Sequence, residues 1–540
     1  MSKVAEYLQE HIAGEVSVQS SILEASSRDA SILEIKPEMV VYPRITSDIR
    51  KIARFSEQLA EKGHLLPITM RGEGTDETGA AIGKGIIINT AAHMNGLLEF
   101  DPKQKLVRVQ PGLSSKSLND ALMLHGLAIP ALTPFGTVGG AVANNSMGVF
   151  SGNYGDMRAW THQLEVVLAN GDIVQTERVS KRELNRRKGL QTSEGQLYRT
   201  IDSLIEDNKQ LIEEKIGVDS CDTSGYSAIA QVKQKDGSFD LTPLIVGSQG
   251  TLGLISEMIL KAEFISAQTS ALVAAFPNKE AARDALDSLK QLQPALLEYF
   301  DGELFELAAA GGKRYSFYKD MEGGIAAAVV VAFNDFNERA RRKKLKKAQK
   351  LIAQTEAVYD GAEGEDAITL LAAREVTSFL VLPTSQGVSA PPLIDGAYVP
   401  TERFEDFSRA VAEMAAKYHV TLPLHANALT GLVYTRPHLQ LQKVSDKQKI
   451  FKLIEEYNLL VTGFGGCLVA EGGEGRLKAH TVLRQLDDDV KQFYAAIKAA
   501  FDPYNILNPG VKQATDIRVL AGQLRKSYDR ANFINSVWYR

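Results

Sequence analysis

The chain has 540 residues, of which 44% are hydrophobic and 24% charged, and carries a formal net charge of −5. That length exceeds the size at which one core keeps growing, so two or more domains are expected, and the mildly acidic balance lacks the basic field that a nucleic-acid partner requires. Cys221 and Cys467 stand far apart in sequence and in no metal-ligand spacing, which excludes a disulfide framework and a zinc ribbon and fits a reducing, cytoplasmic compartment.

In chain order, the opening "MSKVAEYLQEHIAGEVSV" has no apolar core for a signal peptide, and residues 1–40 read as a helical extension. Residues 41–265 show short apolar strands punctuated by glycine turns, among them "HLLPITMRG", "GIIINTAAH", "KLVRVQPG" and "HQLEVVLANGDIV". Helical periodicity between them covers 46–62, 115–125 and 194–208, so this part is an α+β domain. From 266 to 500 strand and helix alternate, as in "TSALVAAFP", a helix over 279–291 and "GIAAAVVVAFND", which predicts a second, α/β unit. The run "IAAAVVVAF" is about half of what a bilayer span needs and reads as a buried strand. No transmembrane helix is expected. The Lys- and Arg-rich run at 339–350 leaves a narrow apolar stripe of Ala340, Leu345, Ala348 and Leu351, the pattern of a solvated surface helix. Residues 501–540 hold the turn-rich "FDPYNILNPGVK" and a tail, "LRKSYDRANFINSVWYR", that reads as docked on the first domain or as an interfacial helix.

Three glycine-rich segments carry the chemistry. "MRGEGTDETGA" leaves a strand directly, and its glycines let successive N–H groups converge on an anion such as a pyrophosphate. "PFGTVGGAVANNSMG" is small throughout, so a flat ring system can lie against its backbone while Asn144, Asn145 and Ser146 offer directional hydrogen bonds. "GSQGTLGLI" repeats the spacing at the entry to a hydrophobic strand. Each alone is also compatible with a tight, unliganded turn.

Together with "NYGDMRAWTHQLEVVLANG" and "FDPYNILNPGVK", these segments resemble the FAD-binding oxidoreductases of the p-cresol methylhydroxylase and vanillyl-alcohol oxidase superfamily, in particular its group of glycolate oxidase flavoproteins and D-lactate dehydrogenases. The resemblance runs from about residue 40 to 512. It implies an α+β fold: a two-subdomain FAD-binding domain at 41–265, an inserted α/β substrate cap at 266–500, and a return to the FAD domain from 501. It also implies FAD contacts at Gly72, Glu73, Gly74, Thr75 and Asp76 for the pyrophosphate. Pro134, Gly136, Thr137, Gly140, Asn144, Ser146 and Gly148 are implied for the ribityl and isoalloxazine, Gly253 and Ile255 near the adenine, and Asn508 on the return. Covalent attachment needs a His, Cys or Tyr nucleophile, and "RGEGTDETG" has none, so the FAD is expected to be non-covalent.

On the catalytic side the resemblance implies that a flavin accepts hydride from a carbon bearing a hydroxyl while a base takes the hydroxyl proton. "LLAAREVTSFL" nominates Arg374 for a substrate carboxylate, with Ser378 one turn away, the competing reading being a surface arginine paired with a neighbouring glutamate. "IDGAYVPTERFEDF" matches the entry to a cap helix through Asp395 and Pro400, with Leu393 and Ile394 where the family often has a lysine. His425 and Glu471 keep two family positions, but Leu432 and Gly472 replace two of the three imidazoles that hold a divalent metal, with His438 and His480 nearby. No metal is therefore expected, and lactate and 2-hydroxyglutarate are expected to be poor substrates. His425 is the nominated base, and is as readily a packed core histidine. The expected function is FAD-dependent oxidation of a small hydroxylated or carboxylated metabolite, with electrons passed to a separate quinone, cytochrome or flavoprotein. The alternative is a flavin-binding component of a larger redox complex. Peripheral contact with the inner face of a membrane stays open.

Overall fold

The computed structural model describes residues 3–217, 221–313, 315, 324–379 and 383–526. Three large sheets organise them, beside a two-stranded one that pairs Glu263–Phe264 with Leu127–Ala128. The first has four strands in the order Glu15–Ser17, Met39–Tyr42, Ile86–Asn89 and Ile68–Arg71, the last three parallel with Val40 beside Ile87 and Ile87 beside Thr69. The apolar runs of Met39–Tyr42 and Ile86–Asn89 suit strands covered on both faces. Helix Thr46–Glu61 covers one face by turning Ile49, Ile52, Ala53 and Ala60 inward at helical spacing. Glu15–Ser17 lies antiparallel to Met39–Tyr42. The N-terminal segment, expected as a helical extension, thus contributes helix Lys3–His11 and an edge strand of this sheet.

The second sheet is antiparallel, in the order Leu97–Asp101, Leu106–Val109, Leu254–Lys261, Thr161–Val167 and Ile173–Thr176. Its central strand comes from "LISEMILK", so the glycine segment before it is delivered to the middle of the domain. Helices Ser193–Asp207 and Asp488–Phe501 close this core together: Leu197, Tyr198 and Ile201 share one cluster with Val490, Phe493, Ile497 and Phe501. The chain therefore rejoins its first half at 488, ahead of the return expected at 501.

The third sheet has seven strands, all antiparallel, in the order Val358–Glu363, Ser270–Phe276, Ala327–Phe333, Leu296–Asp301, Leu424–Asn427, Leu432–Thr435 and Ala397–Tyr398. Side chains alternate across it. Leu272, Ala274, Leu297, Tyr299, Val329 and Val331 face the layer that holds helices Lys279–Lys290, Glu338–Ile352 and Phe404–Tyr418. Ala271, Val273, Leu296, Phe300, Ala328 and Val330 face the other layer, with helix Gly302–Ala310. The same alternation places Glu298, Phe300, His425 and Tyr434 on that second face, Phe300 opposite His425 and His425 opposite Tyr434.

The apolar run is the buried strand expected, every residue of Ala327–Phe333 being enclosed. The basic run forms helix Glu338–Ile352 with Lys346, Lys347 and Lys350 exposed. Its inward stripe is Arg341, Leu345, Ala348 and Ile352, one residue round from the expected Ala340 and Leu351 at its ends. Arg341 is tolerated there because its Nη1 donates to the Asp335 carbonyl at 3.0 Å. No helix among the described residues is long and apolar enough to cross a membrane. Residues 527–540, most of the tail, lie outside the described residues.

Phe333 is wholly enclosed between the cap sheet and its helix layer. Phe333→Ala is expected to cost about 3–5 kcal/mol, read as a lowered thermal unfolding midpoint of the full chain; an unchanged midpoint would contradict the packing.

Candidate functional site

A cavity of about 370 Å³ opens where the loop after strand Ile68–Arg71 meets the 134–148 segment and the second face of the cap sheet. Backbone N–H groups of residues 72–77 make no hydrogen bond among the described residues. Successive unpaired amides around a cavity form a nest for an anion. Gly74 has φ +77°, and a Cβ there would run into the Arg71 guanidinium; one at Gly72 would strike the Thr137 hydroxyl. The chain comes this close to itself only because those positions lack side chains.

Gly72, Glu73, Gly74, Thr75 and Asp76 all line the cavity, as do Gly136, Thr137, Gly140, Asn144 and Ser146, with Gly253 and Ile255 entering from the second sheet. Asp76 acts on the loop itself. Its Oδ1 accepts from the Thr78 N–H (2.8 Å), the Thr78 hydroxyl (2.9 Å) and the Ala80 N–H (2.8 Å), while Oδ2 accepts from Asn144 Nδ2 (2.8 Å). An expected ligand contact is thus a staple that shapes the nest and ties it to helix Val138–Asn144. Thr137 caps that helix by accepting from the Gly140 N–H at 3.3 Å.

Pro134, Gly148 and Asn508 lie outside the lining. Gly148 packs on the Pro130 carbonyl where a side chain has no room. Asn508 is buried behind the loops: Oδ1 accepts from Thr69 Oγ1 (3.0 Å) and Arg476 Nη2 (2.8 Å), and Nδ2 donates to the Ala80 and Gln249 carbonyls (2.8 Å each). It clamps the cradle from the back. Gln249, not singled out from the sequence although it sits within "GSQGTLGLI", does the same at the front. Its Nε2 donates to Thr78 Oγ1, Asn144 Oδ1 and the Gly472 carbonyl at 3.1–3.2 Å, and Oε1 accepts from the Gly475 N–H at 3.0 Å.

His425 and Glu471 reach the cavity from the cap, and Arg374 does not. Arg374 makes a bidentate pair with Glu298, Nε to Oε2 at 2.6 Å and Nη2 to Oε1 at 2.7 Å; the competing reading holds for the ion pair but not for its place, since the pair is largely buried and Glu298 is remote in sequence. Burial opposes charge on Glu298, yet Arg374 and His425 outweigh it and hold the carboxyl down to about 2. His425 Nε2 stands 3.5 Å from Glu298 Oε2. The imidazole is stacked between Phe300 at 4.1 Å and Tyr434 at 4.7 Å. Tyr434 Oη donates to Glu471 Oε2 at 2.6 Å, and Glu471 Oε1 accepts from the Met147 N–H at 3.2 Å. Tyr434 and Glu298 were not nominated from sequence. Their only signal was strand alternation outward from His425, and it needed the pairing register to be read.

Arg436, also missed, joins the two halves of the site. It donates to Asp395 Oδ2 (2.5 Å), Glu77 Oε1 (2.8 Å) and the Thr377 carbonyl (3.2 Å). Lys478 lines the cavity with Nζ bonded to the Asp395 carbonyl at 2.9 Å and the Leu468 carbonyl at 3.3 Å. Among the described residues no three His, Cys, Asp or Glu side chains converge as a metal site. Leu432 is buried in the cap sheet, and Gly472 lines the cavity with open space where its Cβ would be.

A nest of free amides in an α+β half, faced by His425 and Tyr434 from the sheet of a second domain, is a pocket built for an anionic ligand. Residues 37–177 match the FAD binding domain and residues 265–511 the C-terminal domain of FAD linked oxidases. The chain belongs to this family of FAD-linked oxidoreductases and binds FAD. It is 27% identical over 493 residues to glycolate oxidase subunit GlcD of Bacillus subtilis, covering 89% of this chain and 90% of that one. It is 26% identical over 513 residues to D-2-hydroxyglutarate dehydrogenase of Pseudomonas putida, covering 92% of this chain. The match spans about half the length of that dehydrogenase, 50%. The fold is shared with 4-ethylphenol oxidase from Gulosibacter chungangensis in its isoeugenol complex, at TM-score 0.66, 16% identity and 96% and 98% coverage of the two chains. The lining contributed by residues 70–146 and 249–255 has no His, Cys or Tyr, and the cavity's His425 and Tyr434 come from the second domain. His93 is engaged elsewhere, its Nε2 2.6 Å from Glu15 Oε2.

Gly74→Ala is expected to leave a folded protein by circular dichroism that purifies without flavin absorbance, whereas acid precipitation of the native protein should leave its flavin in the supernatant. Removing Glu298 strands the Arg374 charge, so Glu298→Ala is expected to destabilise by about 3–5 kcal/mol. Because the folded carboxyl lies below its ordinary 4.5, its stabilisation is full above that value and is lost as pH falls toward 2. Acid unfolding of native protein and Glu298→Gln should therefore converge at low pH; a constant gap would refute the pairing.

Proposed function

We propose that the chain oxidises a hydroxyl-bearing carbon of a small metabolite and passes the electrons to a separate quinone, cytochrome or flavoprotein. The observation that carries this is the Tyr434–Glu471 hydrogen bond, made on the wall that faces the FAD loops across one cavity. When bound, FAD supplies the acceptor for the hydride leaving the substrate carbon. The chain's own part is the proton. Burial raises the Glu471 carboxyl above its ordinary range against the donors Tyr434 and Met147, which makes it a stronger base. Burial and Glu471 likewise lift Tyr434 well above its usual value, so it enters protonated. The substrate hydroxyl gives its proton to Tyr434 Oη as the Tyr434 proton moves to Glu471 Oε2. The base role expected of His425 passes to this pair, and His425, stacked on Tyr434 and facing Glu298, positions the ring.

Substrate size and charge follow from the same wall. GlcD and the D-2-hydroxyglutarate dehydrogenase are named for small hydroxy acids. Here Arg374 is taken by Glu298 and Arg436 by Asp395 and Glu77, which leaves Lys478 as the cap-side cation able to meet an anionic group. The space at Gly472 admits a bulkier substituent. The substrate is therefore larger and less anionic than lactate or 2-hydroxyglutarate, and its turnover needs no divalent metal.

Anaerobic mixing with a panel of hydroxy acids, sugars and alcohols should bleach the flavin band with a member of the latter classes, unaffected by a chelator. Tyr434→Phe should retain FAD and slow bleaching roughly 10²–10⁴-fold. The rate should fall as pH drops through the raised Glu471 value, a limb absent in Glu471→Gln. Bleaching by no compound would favour a flavin-binding component of a larger complex, and an unchanged Tyr434→Phe rate would remove the relay.

A further inference from the structure

The two cysteines, remote in sequence, meet in space. Thr223 donates its N–H to the Val469 carbonyl at 3.2 Å and its hydroxyl to the Ala470 carbonyl at 2.8 Å, so the segments beginning at Cys221 and Cys467 lie side by side. Cys467 is held in place by exchanging backbone hydrogen bonds with Tyr398 at the edge of the cap sheet, 2.8 and 3.3 Å. The two side chains stand close enough to perturb each other electrostatically, and both are partly exposed. The pair straddles the junction between the FAD-binding half and the cap.

We propose that Cys221 and Cys467 form a reversible, peroxide-driven disulfide that fastens the cap to the FAD-binding half. The thiols are not equivalent. The neighbouring Cys467 lowers the Cys221 thiol, while the same neighbour and burial push Cys467 up. That asymmetry is the arrangement of an attacking thiolate beside a resolving thiol. The Cys221 thiolate attacks one oxygen of hydrogen peroxide; the O–O bond breaks, hydroxide leaves, and Cys221 becomes a sulfenic acid, its sulfur oxidised by two electrons. Cys467 sulfur then attacks the Cys221 sulfur, the S–O bond breaks, and water leaves as the S–S bond forms. Two thiols and one peroxide yield one disulfide and two waters. A reducing compartment returns the pair to thiols, as for transient intracellular disulfides. The inference stands on this junction alone and does not depend on which substrate the cavity takes.

The test uses the full-length, reduced, FAD-loaded protein treated with a small excess of hydrogen peroxide, then denatured and alkylated. The expected result is loss of both alkylatable thiols, one cross-linked peptide pair containing Cys221 and Cys467, and recovery of both thiols with dithiothreitol. Cys467→Ser should instead accumulate a dimedone-reactive sulfenic acid at Cys221, and Cys221→Ser should leave Cys467 alkylatable. Two free thiols after peroxide, links only between separate chains, or Cys221 passing irreversibly to the sulfinic acid with Cys467 still free would each overturn the proposal.

Discussion

The cavity's glycine-rich cradle is assembled from stretches that are remote in sequence, and two buried amide side chains hold them together. Gln249 and Asn508 between them join Thr69, Thr78, Ala80, Asn144, Gly472, Gly475 and Arg476. A primary amide suits this work because it donates and accepts at once without carrying charge. The nest amides at 72–77 must stay open for a ligand, so the loop cannot be stiffened by its own backbone bonds. Its rigidity has to come from side chains, and a lost partner there leaves a buried polar group unsatisfied, typically about 1–3 kcal/mol.

The cap solves a related problem with charge. Glu298 neutralises Arg374, and Asp395 with Glu77 neutralises Arg436, so the two guanidiniums behind and beside the cavity are already paired. Glu77 belongs to the FAD loop and Asp395 to the cap, which makes Arg436 a rivet between domains. The polar groups left facing the cavity on the cap wall include a phenol, a carboxyl and an ammonium.

Legibility in the sequence followed the range of the physical cause. The cavity loops were visible because close backbone approach demands glycine at short spacing, and Gly72, Gly74, Gly136 and Gly140 all line the cavity. The buried strand at Ala327–Phe333 was visible because enclosure on both faces needs no partner to be known. Tyr434, Glu298 and Arg436 were not visible, since their roles depend on strand register and on ion pairs formed across long loops. Asp76 lines the cavity while its side chain bonds to other parts of the chain, and Asn508 lies behind the lining; a motif shows which residues gather, not which atoms face inward. The junction of Cys221 with Cys467 was hidden for the same reason.

The order of the cap sheet has one more consequence, for company rather than chemistry. One edge strand, Val358–Glu363, carries Asp360 and Glu363 along its length, and the other, Ala397–Tyr398, is two residues long and already paired with Cys467. Charge on one border and brevity with cover on the other both discourage a foreign strand from adding itself. Seven antiparallel strands could have been a template for runaway association; finished in this way, they leave any visiting protein to be recognised through side chains.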